Sequence, residues 1–295
     1  MTEENTFPAP APPPQAAPRP DPGHGPWMLA VVLAAQLVLG VVWLAMDHHD
    51  LRGDEAHHLR TAADYYALLG APPAEGRLAA LAAFRSPYPP LPQLLGAAAA
   101  PVFGFSPDRL TYVPLGLFGS MILGVYLLAR RTRRSGEAAR AALLFSCMPL
   151  AFGMSRLFSP DMALAALCLW ALYALLRSEF LLRPGWARAF GVLAGLAGLC
   201  KPEAPACLLA PALVWAAWGI LRAASGAVPA GAAPFGLRRH LARLLLVALL
   251  AAGPLAGWSL YHRADLVAWW GTQRGTAEGL VHGAAAGWLG PFGET

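Results

Sequence analysis

Asp54, with Glu55 beside it, stands three and four residues ahead of His57 and His58 in the run Asp47-His48-His49-Asp50-Leu51-Arg52-Gly53-Asp54-Glu55-Ala56-His57-His58. That run holds four of the chain's eight histidines and four of its seventeen carboxylates. Residues at i, i+3 and i+4 share one face of a helix. A carboxylate placed there could act as general base, taking the proton of an attacking hydroxyl. It could also ligate a divalent cation that offsets charge on a departing phosphate. The plainer reading is a solvated loop, because acids and histidines cost nothing in water. The four histidines invite a zinc reading, but no HExxH or comparable framework accompanies them, so no zinc site is expected.

Further along, Ser155-Arg156-Leu157-Phe158-Ser159-Pro160-Asp161 ends in an acid just after a proline. There Asp161 would cap a helix and meet its positive end, and it could also be a second carboxylate of a pocket shared with Asp54. Arg156 and Lys201 are cations in short turns, suited either to binding a phosphate or to snorkelling at a helix end. Lys201 is the chain's single lysine, and Glu203 beside it could simply pair with it. In Ser86-Pro87-Tyr88-Pro89-Pro90-Leu91, Tyr88 would stand at the entrance of a short helix in a proline-built turn. No Walker loop, dinucleotide fingerprint or nucleophile elbow is present, which argues against an NTP-driven pump and a soluble-type hydrolase.

The elements that must position these groups are apolar. Hydrophobic residues make up 57% of the chain and charged residues 13%, against about 25% charged in a soluble domain. The expected fold is all-α and polytopic. Apolar segments fall at 27–46, 90–105, 110–129, 138–155, 161–176, 187–200, 203–221 and 241–261, of membrane-spanning character. The second is short, starts among prolines and contains Pro101. If it lies along or dips into the membrane surface, three short loops share one side. They carry Arg130, Arg131, Arg133, Arg134, Arg140, Arg177, Arg183, Arg188, Arg222, Arg238, Arg239 and Arg243. The positive-inside rule therefore predicts about seven transmembrane helices plus a surface or re-entrant helix in the first outer loop. The net charge of +5 thus marks topology and no nucleic-acid partner.

Three regions follow: a Pro/Ala-rich cytoplasmic tail over 1–26, expected to be disordered; a transmembrane module over 27–262 with an outer loop at 47–109; and an outward Gly/Trp-rich tail over 263–295. With the first tail in the cytoplasm, Asp54, Glu55, Asp161 and Lys201 share the outer face. Cys147, Cys168, Cys200 and Cys207 lie in or beside apolar runs without metal spacing and are expected to be small core residues.

Taken in order, these residues resemble the GT-C-fold glycosyltransferases, of the branch related to protein O-mannosyltransferases and lipid A aminoarabinose transferases. Gly53-Asp54-Glu55-Ala56-His57-His58 after the first span is similar to that family's Asp-Glu-Ala motif. Tyr88-Pro89-Pro90-Leu91 resembles its His-Pro-Pro-Leu element, with Tyr88 in place of the usual basic residue. Ser155 to Asp161 resembles its second acidic motif, and Gly191 to Leu199 with Lys201 its glycine-rich span followed by lysine.

The resemblance implies an integral membrane transferase, in a bacterial-type inner membrane, using a polyprenyl-phosphate-linked sugar donor at the periplasmic or exterior face. The acceptor would be a hydroxyl of a glycolipid, polysaccharide or protein. Asp54 would be the base, Asp161 the second acid, Glu55 a motif member, and Lys201 a contact to the donor phosphate. Arg156, Tyr88, His57 and His58 would be further substrate contacts. No cofactor follows, and a divalent cation stays an option. Members commonly continue through further spans and a soluble domain, so the chain reads either as a fragment or as the family's core. The rival from another class is a non-catalytic polytopic protein: transporter-like, or a truncated paralogue acting as a scaffold. A transporter would carry ionisable groups mid-span; here the acids lie at span ends, which favours an interfacial enzyme.

Overall fold

The computed structural model describes residues 23–47, 53–70, 76, 79–81, 84, 86, 88–225, 237–268 and 271. His48, His49, Asp50, Leu51, Arg52 and Pro87 fall outside the described residues, as do 1–22, the linker 226–236 and 272–295. Among the described residues every regular element is a helix.

In chain order the helices are α1 (Gly25–Met46), α2 (Gly53–Gly70), α3 (Leu91–Phe103), α4 (Pro107–Leu110), α5 (Tyr112–Ala129) and α6 (Ser135–Ser146). They continue as α7 (Pro149–Met154), α8 (Pro160–Arg177), α9 (Pro184–Gly198), α10 (Ala204–Ala224) and α11 (Leu237–Tyr261). Proline opens α7, α8 and α9, where its missing N–H has no intrahelical partner to lose and its fixed φ suits the first turn.

Among the described residues five helices are long and apolar enough to cross a membrane: α1, the α4–α5 run Pro107–Ala129, α8, α10 and α11. The segment expected to cross over 138–155 is two helices, α6 and α7, interrupted at Cys147-Met148. The cause is Pro149, which pushes the residue before it out of helical geometry; Met148 sits at ψ 121°. The segment expected over 187–200 forms α9, of 15 residues. The 90–105 segment forms α3, 13 residues with Pro101 inside, and it packs chiefly on α2.

The helices gather around three cores. One joins α1, α5, α6 and the start of α8 through Leu29, Leu115, Phe118, Ile122, Ala142 and Met162. A second joins α8, α9, the start of α10 and α11 through Ala171, Leu175, Phe190, Ala197, Leu208 and Val247. The third caps one end of the bundle, where Leu59 and Ala62 of α2 meet Ala100 of α3, Leu110 and Phe158.

The glycines of α9 explain its closeness to α11. A Cβ on Gly195 would lie 2.3 Å from the Leu250 carbonyl oxygen, and one on Gly191 would lie 3.0 Å from the Val247 carbonyl oxygen. The first contact leaves no room for a side chain and the second is tight, so the small residues let the two backbones touch, as in close-packed membrane helices. The same pattern brings Gly25 of α1 against Ser135 of α6. The arginine-rich turns around 130–134 and 177–183 lead into the starts of α6 and α9, whereas Lys201 follows the far end of α9. Arg243 binds the Leu181 and Leu182 carbonyls, the first at 3.2 Å.

Candidate functional site

The site is assembled where five helix ends meet. Gly53 takes φ +58°, a left-handed value that glycine adopts at little cost, and α2 starts on it. Asp54 and Glu55 then occupy the first turn, where the positive end of the helix favours acids. The Glu55 carboxylate accepts a hydrogen bond from the Phe158 backbone N–H at 2.9 Å. That bond braces α2 against the turn that leads into α8, and so holds Asp54 near the second acidic stretch.

The next residue, Ser159, caps α8. Its hydroxyl accepts from the Asp161 N–H at 3.3 Å. The Asp161 carboxylate accepts from the Lys201 ammonium at 2.6 Å. Lys201 therefore pairs across 40 positions with Asp161. Burial alone would lower the lysine, but the hydrogen bond and charge of Asp161, with Glu203 and Tyr88 adding, raise it. The Lys201 side chain is 29% exposed and that of Asp161 47%, so the pair is open to a ligand and adds little stability of its own.

His58 is 2% exposed. Its Nδ1 lies 2.9 Å from Gln93 Nε2, which as a donor makes Nδ1 the acceptor and leaves the proton on Nε2. Burial first, then the neighbouring His57, push its pKa down to about 4, against the opposing pull of Asp54. Lys201 and Asp161 also act on it electrically, so the four groups share one neighbourhood. The Tyr88 ring stands edge-on to His58 at 4.9 Å and tilted to His57 at 5.4 Å. Its hydroxyl is raised by burial, then by Asp54, and partly relieved by Lys201.

Of the residues singled out in the sequence, Asp54, Glu55, His57, His58, Tyr88, Asp161 and Lys201 thus gather at one end of the bundle. Arg156 stands apart from them. Its guanidinium packs over the Trp43 ring at 4.1 Å and the Phe152 ring at 4.4 Å, and donates to the Phe152 carbonyl at 3.3 Å. It lines a separate cavity of about 310 Å³ with Trp43 and Asp47. Among the described residues no three His, Cys, Asp or Glu side chains gather closely enough to hold a metal ion.

Gln93 is the site residue that sequence reasoning missed. It is the single polar side chain of the otherwise apolar α3, and it is 1% exposed. A lone amide in an apolar helix was the available signal, since burying one without a partner is costly.

Below this cluster α9, α10 and α11 enclose an apolar cleft of about 570 Å³. Gly198, Ala204 and Pro205, which flank the Lys201 turn, line its upper end, while Phe190, Leu208 and Val247 line its depth.

Residues 87–231, just under half of the chain, match the family model described as dolichyl-phosphate-mannose-protein mannosyltransferase. The match supports the class of GT-C membrane glycosyltransferases. It contains Tyr88, Gln93, Arg156, Asp161 and Lys201, and begins after the Asp54–His58 stretch. Neither the curated proteins nor the solved structures yield a match.

Proposed function

We propose that this chain transfers a sugar from a polyprenyl-phosphate donor to an acceptor hydroxyl at the extracytoplasmic face, through a single displacement at the anomeric carbon. The observation that carries the reading is the Lys201–Asp161 pair, held at the mouth of an apolar cleft and beside the Asp54 helix. A lipid-linked phosphate needs a cation at the membrane interface and an apolar groove below it, and the two are adjacent here. The isoprenoid would lie along α9, α10 and α11, with its phosphate at Lys201.

In the reaction, the acceptor oxygen forms a bond to the anomeric carbon while the bond from that carbon to the phosphate oxygen breaks. The hydroxyl proton passes to the Asp54 carboxylate. The phosphate leaves with the electron pair, and the Lys201 ammonium, fixed by Asp161, offsets its charge. Glu55 sets the position of Asp54. His58, neutral and with its proton on Nε2, is a donor in that setting. A seven-crossing topology, with α6–α7 and α9 as the two further passes, would put the arginine-rich turns in the cytoplasm and the site in the periplasm or exterior of a bacterial-type membrane.

A transfer assay with polyprenyl-phosphate sugars, comparing wild type with Asp54→Asn, tests the reading. Loss of transfer with retained donor binding supports it. Wild-type transfer by Asp54→Asn removes the base assignment. Absence of both donor binding and transfer favours the transporter-like or scaffold alternative.

A further inference from the structure

A second cavity, of about 300 Å³, opens at the same end of the bundle, lined by Tyr65 of α2, Pro90 and Leu94 at the start of α3, and Trp258, Tyr261 and His262 at the end of α11. Its walls are largely rings. Trp258 and His262 stack at 5.2 Å with 29° between their planes, Tyr261 meets His262 edge-on at 5.1 Å, and Tyr65 packs against Phe84 at 4.6 Å. Simple interfacial anchoring accounts for Tyr261, 64% exposed, but not for His262, 7% exposed, which turns inward where a lipid-facing anchor would not.

Polar atoms are set among the rings. The His262 Nδ1 lies 3.4 Å from the Asp265 carboxylate, which orients the imidazole. Burial pushes the Tyr65 hydroxyl up to about 12, so it keeps its proton and can donate. Ring faces with a few fixed donors and acceptors match a pyranose, which presents C–H groups on its faces and hydroxyls at its rim. An isoprenoid chain has no use for the imidazole and phenol, and the apolar cleft offers it a better match. The α11 stripe changes character between the two: Val247, Ala251 and Leu255 line the cleft, and Trp258 and His262 line this cavity.

The position relates the cavity to the reacting groups. Tyr65 follows His58 by seven residues, two turns of α2, or about 10 Å along the axis. Pro90 follows Tyr88 by two residues and Leu94 directly follows Gln93, the partner of His58. The cavity therefore starts where the Asp54–Lys201 cluster stops. We propose that it is a saccharide subsite, holding a pyranose ring of the acceptor a sugar unit or two away from the hydroxyl that reacts. This rests on the transferase reading and names its acceptor as a glycan. Trp258, Tyr261 and His262 lie beyond residue 231, so the subsite is built largely from a part of the chain outside the family match.

The test uses the full chain in lipid nanodiscs, with mannose- and glucose-based mono- to tetrasaccharides as probes. Saccharide binding is read by saturation-transfer NMR without any donor, for wild type, Trp258→Ala, Trp258→Phe and His262→Leu. Oligosaccharides are expected to bind wild type, to bind Trp258→Ala about tenfold more weakly, and to bind Trp258→Phe within about twofold, since phenylalanine keeps a ring face. In the transfer assay, Trp258→Ala is expected to raise the acceptor KM about tenfold with kcat and donor KM unchanged. The proposal is overturned if no saccharide binds wild type, or if Trp258→Ala and Trp258→Phe weaken binding alike. It is also overturned if Trp258→Ala raises the donor KM and leaves the acceptor KM alone, which makes the cavity a tail site. Saccharide binding by a protein that transfers nothing refutes the transferase reading and leaves the saccharide cavity standing; transfer with an unmoved acceptor KM does the reverse.

Discussion

Acidification should loosen α2 before it affects the membrane spans, and His58 supplies the reason. The imidazole is 2% exposed, accepts from Gln93, and has its pKa lowered from 6.5 to about 4 by burial and by His57. Between those two values an unfolded or undocked α2 binds a proton on His58 that the folded form does not. Lower pH therefore favours the undocked form. The stabilisation is fully present above pH 6.5, declines as pH falls towards 4, and is lost below that. A shift of this size corresponds to about 3 kcal/mol at most, which is enough to undock a helix held by one small core. Hydrogen exchange of the α2 amides from pH 7 to 4 reads the effect directly. Carboxylates also titrate in this window, so the decisive quantity is the difference between wild type and His58→Gln, which fits the same space and cannot charge. Wild type should lose protection of α2 steeply between pH 6.5 and 4, and His58→Gln much less. The reasoning fails if the two variants show the same pH dependence, or if imidazole NMR finds His58 titrating near 6.5.

Other consequences are as direct. Lys201→Met should lower kcat by about 100-fold or more, the range for removing a donor that offsets developing charge. Asp161→Asn should fall in the same direction with a stability change under about 1 kcal/mol, since the pair is solvent-open; the two losses should be strongly non-additive in a double-mutant cycle. Gly195→Leu should destabilise the α9–α11 contact by roughly 2 kcal/mol or more, because its Cβ has backbone on the far side and nowhere to go, and denaturant titration in detergent measures it. A single displacement inverts the anomeric centre, so NMR of the product should show the linkage opposite to that of the donor; retention would refute the one-step mechanism.

How much of this was legible in the sequence depends on the range over which each contact acts. Helix starts were legible, because proline and glycine act on their own neighbours: Pro160 ahead of Asp161 and Gly53 ahead of Asp54 both mark observed boundaries. The partner of Lys201 was not. Glu203, two residues away, was the local candidate. It stands at the exposed cap of α10, whereas the antiparallel packing of α8 and α9 delivers Asp161 to the ammonium. The role of Glu55 was hidden for a different reason. Its carboxylate binds a backbone N–H, and every residue but proline has one, so Phe158 carries no mark of the contact. Arg156 was read by its charge alone; two ring faces, one of them from α1, capture it by cation–π contact, a pairing that only the folded bundle reveals.

The same distinction bears on the proposed base. The family match begins at residue 87, so Asp54 lies outside it, and similarity alone does not connect this carboxylate to Asp161 and Lys201. The fold makes that connection through three independent contacts from the first turns of α2 into the matched region: Glu55 to the Phe158 N–H, His58 to Gln93, and both His57 and His58 to Tyr88. Each partner belongs to a different part of the matched stretch: the turn before α8, the first turn of α3, and the proline-built turn ahead of it. A stretch that was merely a solvated linker would need none of them, and burying His58 at the cost of its charge would be without purpose. The acidic start of α2 is held against the Lys201 end of the bundle by side chains that follow Asp54. That is the arrangement expected when the groups that follow in the helix bind protein and the acid at its start is left exposed to meet a substrate.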